Sequence, residues 1–355
     1  MSTTFATWIP PSAVLGSILD VLPRQGAVFA GRTGAVPLPG GCFLLVEPGA
    51  ARIVDAVAEP VDNQVPAPGA NLRVRRPGYM SAYAELLAPP AAPQDRSPSA
   101  AFKRIWPRRD EPDRYVRNDP YTGGLIRVSQ AVRRLVPAEP VALSYQLRFG
   151  DPEDPEVAYQ LEKAVQGMAD AARMFRLPVV AGELTIAPGV GLHPCVALHA
   201  HTSKQPVPAE PGPAIAVVGR MTNDLSGSLL LGDVEGFPPP IDLVAESRVL
   251  EVVRAIGGGV PIERGGLLVT LARCSARARL GARVTLPAAW RSLSPEAILF
   301  AEAQSRFLVF LPEERIPELR AIAEPLNVPV EGIGSLGGPK LIVDGLIELD
   351  LEDLA

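Results

Sequence analysis

The sequence predicts a protein of two α/β lobes, and three observations lead there. The chain runs to 355 residues, more than a single hydrophobic core usually supports. Segments patterned as strands alternate with segments patterned as helices, the arrangement from which mixed α/β layers are built. A proline-rich crossover from Pro206 to Pro213 interrupts the alternation and marks the boundary between lobes. The expected division is an extension over residues 1–50, a first domain over 51–205 and a second over 214–349.

Taken in order, Val14, Leu15, Ile18, Leu19 and Leu22 recur at helical spacing from Ala13 until Pro23 stops the run. Cys42 to Val46 is a compact apolar run between glycines and Pro48-Gly49, the pattern of a buried strand. From Gly78 to Asp113 prolines and charges displace any apolar period, which predicts a long inserted loop with Pro89-Pro90-Ala91-Ala92-Pro93 at its tip. Leu125, Val128, Val132 and Leu135 form a stripe on a helix that starts at Gly123 and ends before Pro137, and Val141 to Leu147 follows as a strand. The longest helix is expected over Glu156–Arg176, with Asp154 near its start and Val157, Leu161, Val165, Met168, Ala172 and Phe175 on its core face. Pro178 ends it, and Val179-Val180-Ala181 opens another strand.

Beyond the crossover, Ala214 to Met221 reads as a strand and Ile241 to Ile256 as a helix started by Asp242. Gly265-Gly266 opens a helix running to about Leu280, Arg306 to Leu311 is a strand, and Glu314 to Leu326 is a helix. Short strands separated by glycines fill Val328 to Leu349, and no internal repeat is visible.

Composition narrows the function classes. A formal charge of −5 supplies no basic footprint for nucleic acid. No apolar run reaches the roughly 20 residues a membrane span needs, and Met1 to Pro11 lacks the order of a signal peptide, so a cytoplasmic protein is expected. Cys42, Cys195 and Cys274 are odd in number and far apart, which fits reduced thiols acting as small buried hydrophobes. The 39 prolines and 32 glycines fall short of a low-complexity share and cluster instead, as rigid loops between ordered elements do.

Several motifs, read in order, resemble a known family. Glu59-Pro60-Val61-Asp62-Asn63-Gln64-Val65, followed by Pro68-Gly69-Ala70, is the first. Asp119-Pro120-Tyr121-Thr122-Gly123-Gly124 opens a helix, and Phe149-Gly150-Asp151-Pro152-Glu153-Asp154-Pro155-Glu156 joins a strand to the next one. Val179-Val180-Ala181-Gly182-Glu183, Ala301-Glu302-Ala303-Gln304-Ser305-Arg306-Phe307 and Gly334-Ser335-Leu336-Gly337-Gly338 complete the series. Together they resemble the C-terminal half of the phosphoribosylformylglycinamidine synthase large subunit, within the aminoimidazole-ribonucleotide-synthase-like superfamily.

That resemblance implies a two-lobed fold whose first lobe contributes strands to a barrel shared with a second unit. The partner is then another copy of the chain or a synthase-like subunit. It also implies ATP or ADP and magnesium as cofactors, with Asp119, Tyr121, Gly182, Glu183, Gly265 and Gly266 as nucleotide-binding candidates and Glu183 and Glu263 as metal candidates. The family reaction activates a formamide oxygen with ATP before ammonia displaces phosphate, and carboxylates hold the magnesium that such chemistry needs.

Here the acids thin out. Ala70-Asn71 stands where the family has aspartate, and Ser144-Tyr145-Gln146-Leu147-Arg148 replaces its acidic stretch. The family's His-Asp-x-Ser-Asp-Gly-Gly loop is Val260-Pro261-Ile262-Glu263-Arg264-Gly265-Gly266. Two functions follow: a non-catalytic unit that keeps the fold, or an active amidine-forming synthase with altered ligands such as Asp119, Glu183, Glu263 and Glu302.

Remaining motifs are weaker. Gly332-Ile333-Gly334-Ser335-Leu336-Gly337 has dinucleotide-fingerprint spacing, but Leu341-Ile342-Val343 reads as a strand where a helix is required, so a hairpin turn is expected. Gly337-Gly338-Pro339-Lys340 fails as a P-loop for the same reason. His193, His199 and His201 crowd together, and on a strand the last two share a face, though no fourth zinc ligand stands at clear spacing. Gly182-Glu183 is expected at a strand end, Arg306 at a strand start with Glu302 beside it. Arg104, Arg108 and Arg109 are balanced by Asp110, Glu111 and Asp113.

Overall fold

A computed structural model of the chain describes residues 3–8, 34–37, 43–46, 97–106, 113–203, 209–231 and 238–354. The expected helix from Ala13 to Leu22, the tip at Pro89–Pro93, Cys42 and the pair Arg108-Arg109 lie outside the described residues. The chain forms two compact units: residues 1–74 with 111–205, and residues 75–110 with 206–355.

The first unit is built on a six-stranded sheet. Its strands are β1 (Thr3–Trp8), β2 (Gly34–Pro37), β3 (Phe43–Val46), β4 (Ala142–Phe149), β5 (Val179–Ile186) and β6 (Cys195–His201), in the order β2-β3-β1-β5-β4-β6. Only β4 and β5 run parallel; the other pairs are antiparallel. The stretch before residue 51, set apart in the sequence as an extension, supplies three of these strands. Thr3 pairs with Ile186 and Trp8 with Ala181.

Along β4 the period of two sorts the side chains. Leu143, Tyr145, Leu147 and Phe149 are buried, while Gln146 and Arg148 are exposed on the other face. Each fully buried side chain of this size contributes about 1.5–3 kcal/mol of transfer free energy.

Helix α1 (Pro98–Ile105) lies in the other unit; among the described residues this unit contains α2 (Arg114–Asn118), α3 (Pro120–Arg133) and α4 (Pro155–Met174). Helix α3 begins three residues before the expected Gly123 because Asp119 caps it, accepting from Thr122 N at 3.1 Å, and Pro120 takes the first-turn position that needs no donor. Asp154 caps α4 through Glu156 N at 2.9 Å, with Pro155 behind it. Helices α3 and α4 pack on one another and reach β6 and β4 respectively.

The second unit holds a seven-stranded sheet in the order β13-β12-β9-β11-β7-β10-β8. Its strands are β7 (Ala214–Val218), β8 (Val260–Pro261), β9 (Ala282–Val284), β10 (Phe307–Leu311), β11 (Val330–Leu336), β12 (Lys340–Val343) and β13 (Ile347–Asp350). Helices α5 (Leu243–Ile256), α6 (Gly266–Ala278), α7 (Pro295–Phe300) and α8 (Ile316–Ala323) belong to it as well. Asp242 caps α5 as its position implies, accepting from Val244 N and Ala245 N. Gly332 to Leu336 lies within β11, not in a turn; the chain turns at Gly337-Gly338 and enters strand β12, so neither glycine motif precedes a helix.

The expected loop over Gly78–Asp113 needs correction, because it contains helix α1. Ser97 caps it through Ala100 N at 3.2 Å and Pro98 sits in its first turn. Phe102 and Ile105 are buried with Ile215, Leu267, Leu308 and Leu341 in the core of the second unit. Eight residues with three buried apolar positions are too few to stand out among prolines and charges.

Candidate functional site

The candidate residues divide between the units. Asp119, Tyr121, Gly182 and Glu183 belong to the first; Glu263, Gly265 and Gly266 to the second.

In the first unit the matched motifs act on packing. Both oxygens of Asp119 face Thr122, one taking the backbone N–H and the other the hydroxyl at 3.0 Å. Tyr121 donates its hydroxyl to Asp170 Oδ2 at 2.9 Å, and burial followed by that bond raises its pKa. The glycines next to it let two helices meet backbone to backbone. A Cβ on Gly124 would stand 2.3 Å from the Ala164 carbonyl, and one on Gly167 would stand 2.0 Å from that of Tyr121.

Gly182 and Glu183 do not end a strand as expected; both lie inside β5, in register with Tyr145 and Gln146 of β4. A Cβ on Gly182 would fall 2.0 Å from the Tyr145 ring. Tyr145 is 2% exposed, its hydroxyl has no hydrogen-bond partner, and burial pushes its pKa upward. The glycine therefore makes room for a buried aromatic ring. Cys195, expected to be buried, is exposed at the start of β6; partial burial and the neighbouring Asp113 raise its pKa, which disfavours a reactive thiolate.

In the second unit the motifs converge on the start of α6. Gly265 and Gly266 have φ of +76° and +70°, and a Cβ on Gly266 would press to 2.7 Å of the Phe300 backbone, so only glycine fits this approach. No side chain of its own caps the helix. Instead Glu302, 1% exposed, reaches in from the loop after α7 and accepts from Gly265 N at 3.0 Å and Leu229 N at 2.8 Å. A carboxylate beside a helix N-terminus is favourably placed against the helix dipole. Glu263 contributes its backbone carbonyl, which accepts from Gly266 N at 2.9 Å.

Arg306 precedes β10, as expected, but its side chain turns back into its own loop. It donates to Ala303 O at 2.9 Å and Ala301 O at 2.6 Å, and touches Met221 Sδ at 3.1 Å. Ser305, with φ of +60°, donates to Glu246 Oε2 at 2.5 Å on the buried side of α5. Glu246, which sequence reading missed, is fully buried, and four residues after Asp242 it looks like any first-turn acid. Among the described residues no group of three or more His, Cys, Asp or Glu is placed to hold a metal ion.

The chain thus carries a mixed sheet of six strands in one unit and a mixed sheet of seven in the other, with the ordered motifs distributed over both. The AIR synthase related protein N-terminal domain matches residues 111–221 and the corresponding C-terminal domain matches residues 210–344, so the chain belongs to that family. Among curated proteins it is similar to the phosphoribosylformylglycinamidine synthase subunit PurL of Bradyrhizobium sp. (strain BTAi1), with 35% identity over 272 residues, 69% of this chain and 36% of the relative. PurL of Thermomicrobium roseum is 32% identical over 329 residues, 80% of this chain and 43% of the relative. The chain thus spans less than half the length of these relatives.

Among solved structures, phosphoribosylformylglycinamidine synthase II from Thermotoga maritima aligns with a TM-score of 0.58 at 18% identity, covering 78% of this chain and 54% of that one. T. maritima PurL complexed with ATP aligns with a TM-score of 0.52 at 22% identity, covering 66% of this chain and 41% of that one. At these identities the structures show the fold, a mixed α/β architecture of the AIR synthase type.

Proposed function

We infer that the chain is a PurL-like unit of purine biosynthesis that serves a synthase assembly as a non-catalytic half, paired with a second copy or with a synthase subunit in the cytoplasm. One observation carries the reading: the loop that enters α6. Where the resembling family carries a histidine and two aspartates, this chain places Val260, Pro261 and Arg264. The buried carboxylate nearest the helix start, Glu302, is engaged with backbone N–H groups of Gly265 and Leu229. Asp119, another of the acids offered as a ligand, holds Thr122. The carboxylates of Asp119 and Glu302 thus brace the fold, and magnesium bound against phosphates would need oxygen ligands that are not already so engaged.

The test is titration calorimetry of ATP or ADP with magnesium into the purified chain, with its mass in solution measured alongside. A folded dimer or subunit complex that takes up no nucleotide, or takes it up without turnover, is the expected result. Saturable binding with ATP-dependent amidine formation overturns the reading in favour of an active synthase, and substitution of Glu183, Glu263 and Glu302 would then locate its metal.

A further inference from the structure

The geometry points to a transition-metal site on the edge of the first sheet, formed by His199 and His201 and oriented by Ser144. The chain has three histidines. Two of them stand two residues apart on β6, so their side chains leave the same face of the strand, roughly 7 Å apart along it. That strand is the edge of the sheet, and both rings are exposed. A cation can therefore approach without rearrangement of the fold.

Ser144 on β4 lies beside both residues and bonds one of the rings. It pairs directly across the ladder with His199, while its Oγ and His201 Nε2 share a hydrogen bond of 2.8 Å. When Nε2 donates in that bond, Nδ1 carries the lone pair that a metal takes. An oxygen that fixes the ring and tautomer of a ligating histidine is the usual outer partner of such sites. The strand end is fixed as well, because His201 O accepts from Val141 N at 2.7 Å.

Two imidazoles on one face suit Zn²⁺, Ni²⁺ or Cu²⁺ and leave positions open for water or another ligand. They do not suit magnesium, which prefers oxygen. The site is therefore separate in chemistry from any nucleotide-bound cation, and it stands or falls independently of the proposed function. His193, the third histidine, faces Arg117 at 3.4 Å and serves as the internal control.

The experiment uses the full chain without a polyhistidine tag, stripped by chelator and titrated with zinc chloride against a colorimetric chelator. One saturable site per chain is expected. The His199→Ala and His201→Ala variants should each weaken it at least about tenfold, Ser144→Ala by roughly tenfold as an outer partner, and His193→Ala should leave it unchanged. Wild-type protein gives a second readout that needs no variant: copper(II) should broaden the imidazole C–H resonances of two histidines and spare the third. Absence of saturable binding up to millimolar zinc overturns the inference. So does a His199→Ala/His201→Ala double variant that binds like wild type, or broadening of the His193 ring alone.

Discussion

Tyr145 and Gly182 form a pair in which one residue exists for the other. The ring lies where a Cβ on Gly182 would be, and the phenol is buried without a partner. A buried hydroxyl with no hydrogen bond is a desolvation cost, so Tyr145→Phe should leave stability unchanged or raise it by up to about 1 kcal/mol. Gly182→Ala should lower it by about 1–3 kcal/mol through overpacking. Urea denaturation of both variants checks the pair, and a Gly182→Ala protein as stable as wild type would show that the ring moves aside freely. Glu302 offers a second case. Its removal in Glu302→Ala strands two buried N–H groups and should cost about 3 kcal/mol, whereas Glu302→Gln keeps an acceptor and should cost less than half of that. Equal losses in the two variants would mean that the carboxylate charge, not its acceptor geometry, holds the loop.

Helix starts show how far the sequence could be read. Asp119, Asp154 and Asp242 each precede an apolar stripe and each caps a helix, because a cap is a local device written within four residues. Asp119→Ala should therefore cost about 1 kcal/mol in thermal or chemical unfolding, and Asp119→Asn should restore most of it, an outcome that a metal ligand would not share in an activity assay. The ordered motifs also placed the family correctly. What they did not give was the reason for their residues. Gly123 and Gly124 look like part of a helix opening, yet their lack of side chains is explained by α2 and α4 pressing on them. Gly182 looks like a turn because the residue that needs its space, Tyr145, is 37 positions earlier in the chain (182 minus 145) and on another strand. Helix α1 was illegible for a similar reason: its burial is created by strands that follow it by a hundred residues or more, and nothing local announces them.

On the scale of the whole molecule, sheet partners are far apart in sequence. Thr3 meets Ile186, so the first sheet closes only when residues 183 positions apart (186 minus 3) find each other. Folding of the full chain should accordingly be slow for its size, on the order of seconds or longer by stopped-flow fluorescence. A protein ending at Gln205 would keep α1 and lose the core that buries Phe102 and Ile105. Such a truncation should aggregate during purification, and a monodisperse, cooperatively melting product would contradict that expectation.

The interleaving of residues 75–110 with the second unit has one further consequence. A single break in the backbone between Gln205 and Pro206 releases neither unit, since the amino-terminal fragment still holds a helix seated in the other fragment's interior. The two pieces should travel together as a noncovalent complex until denaturant parts them. Expressed separately, they should complement one another, the amino-terminal piece supplying α1 and the carboxy-terminal piece the core that buries it.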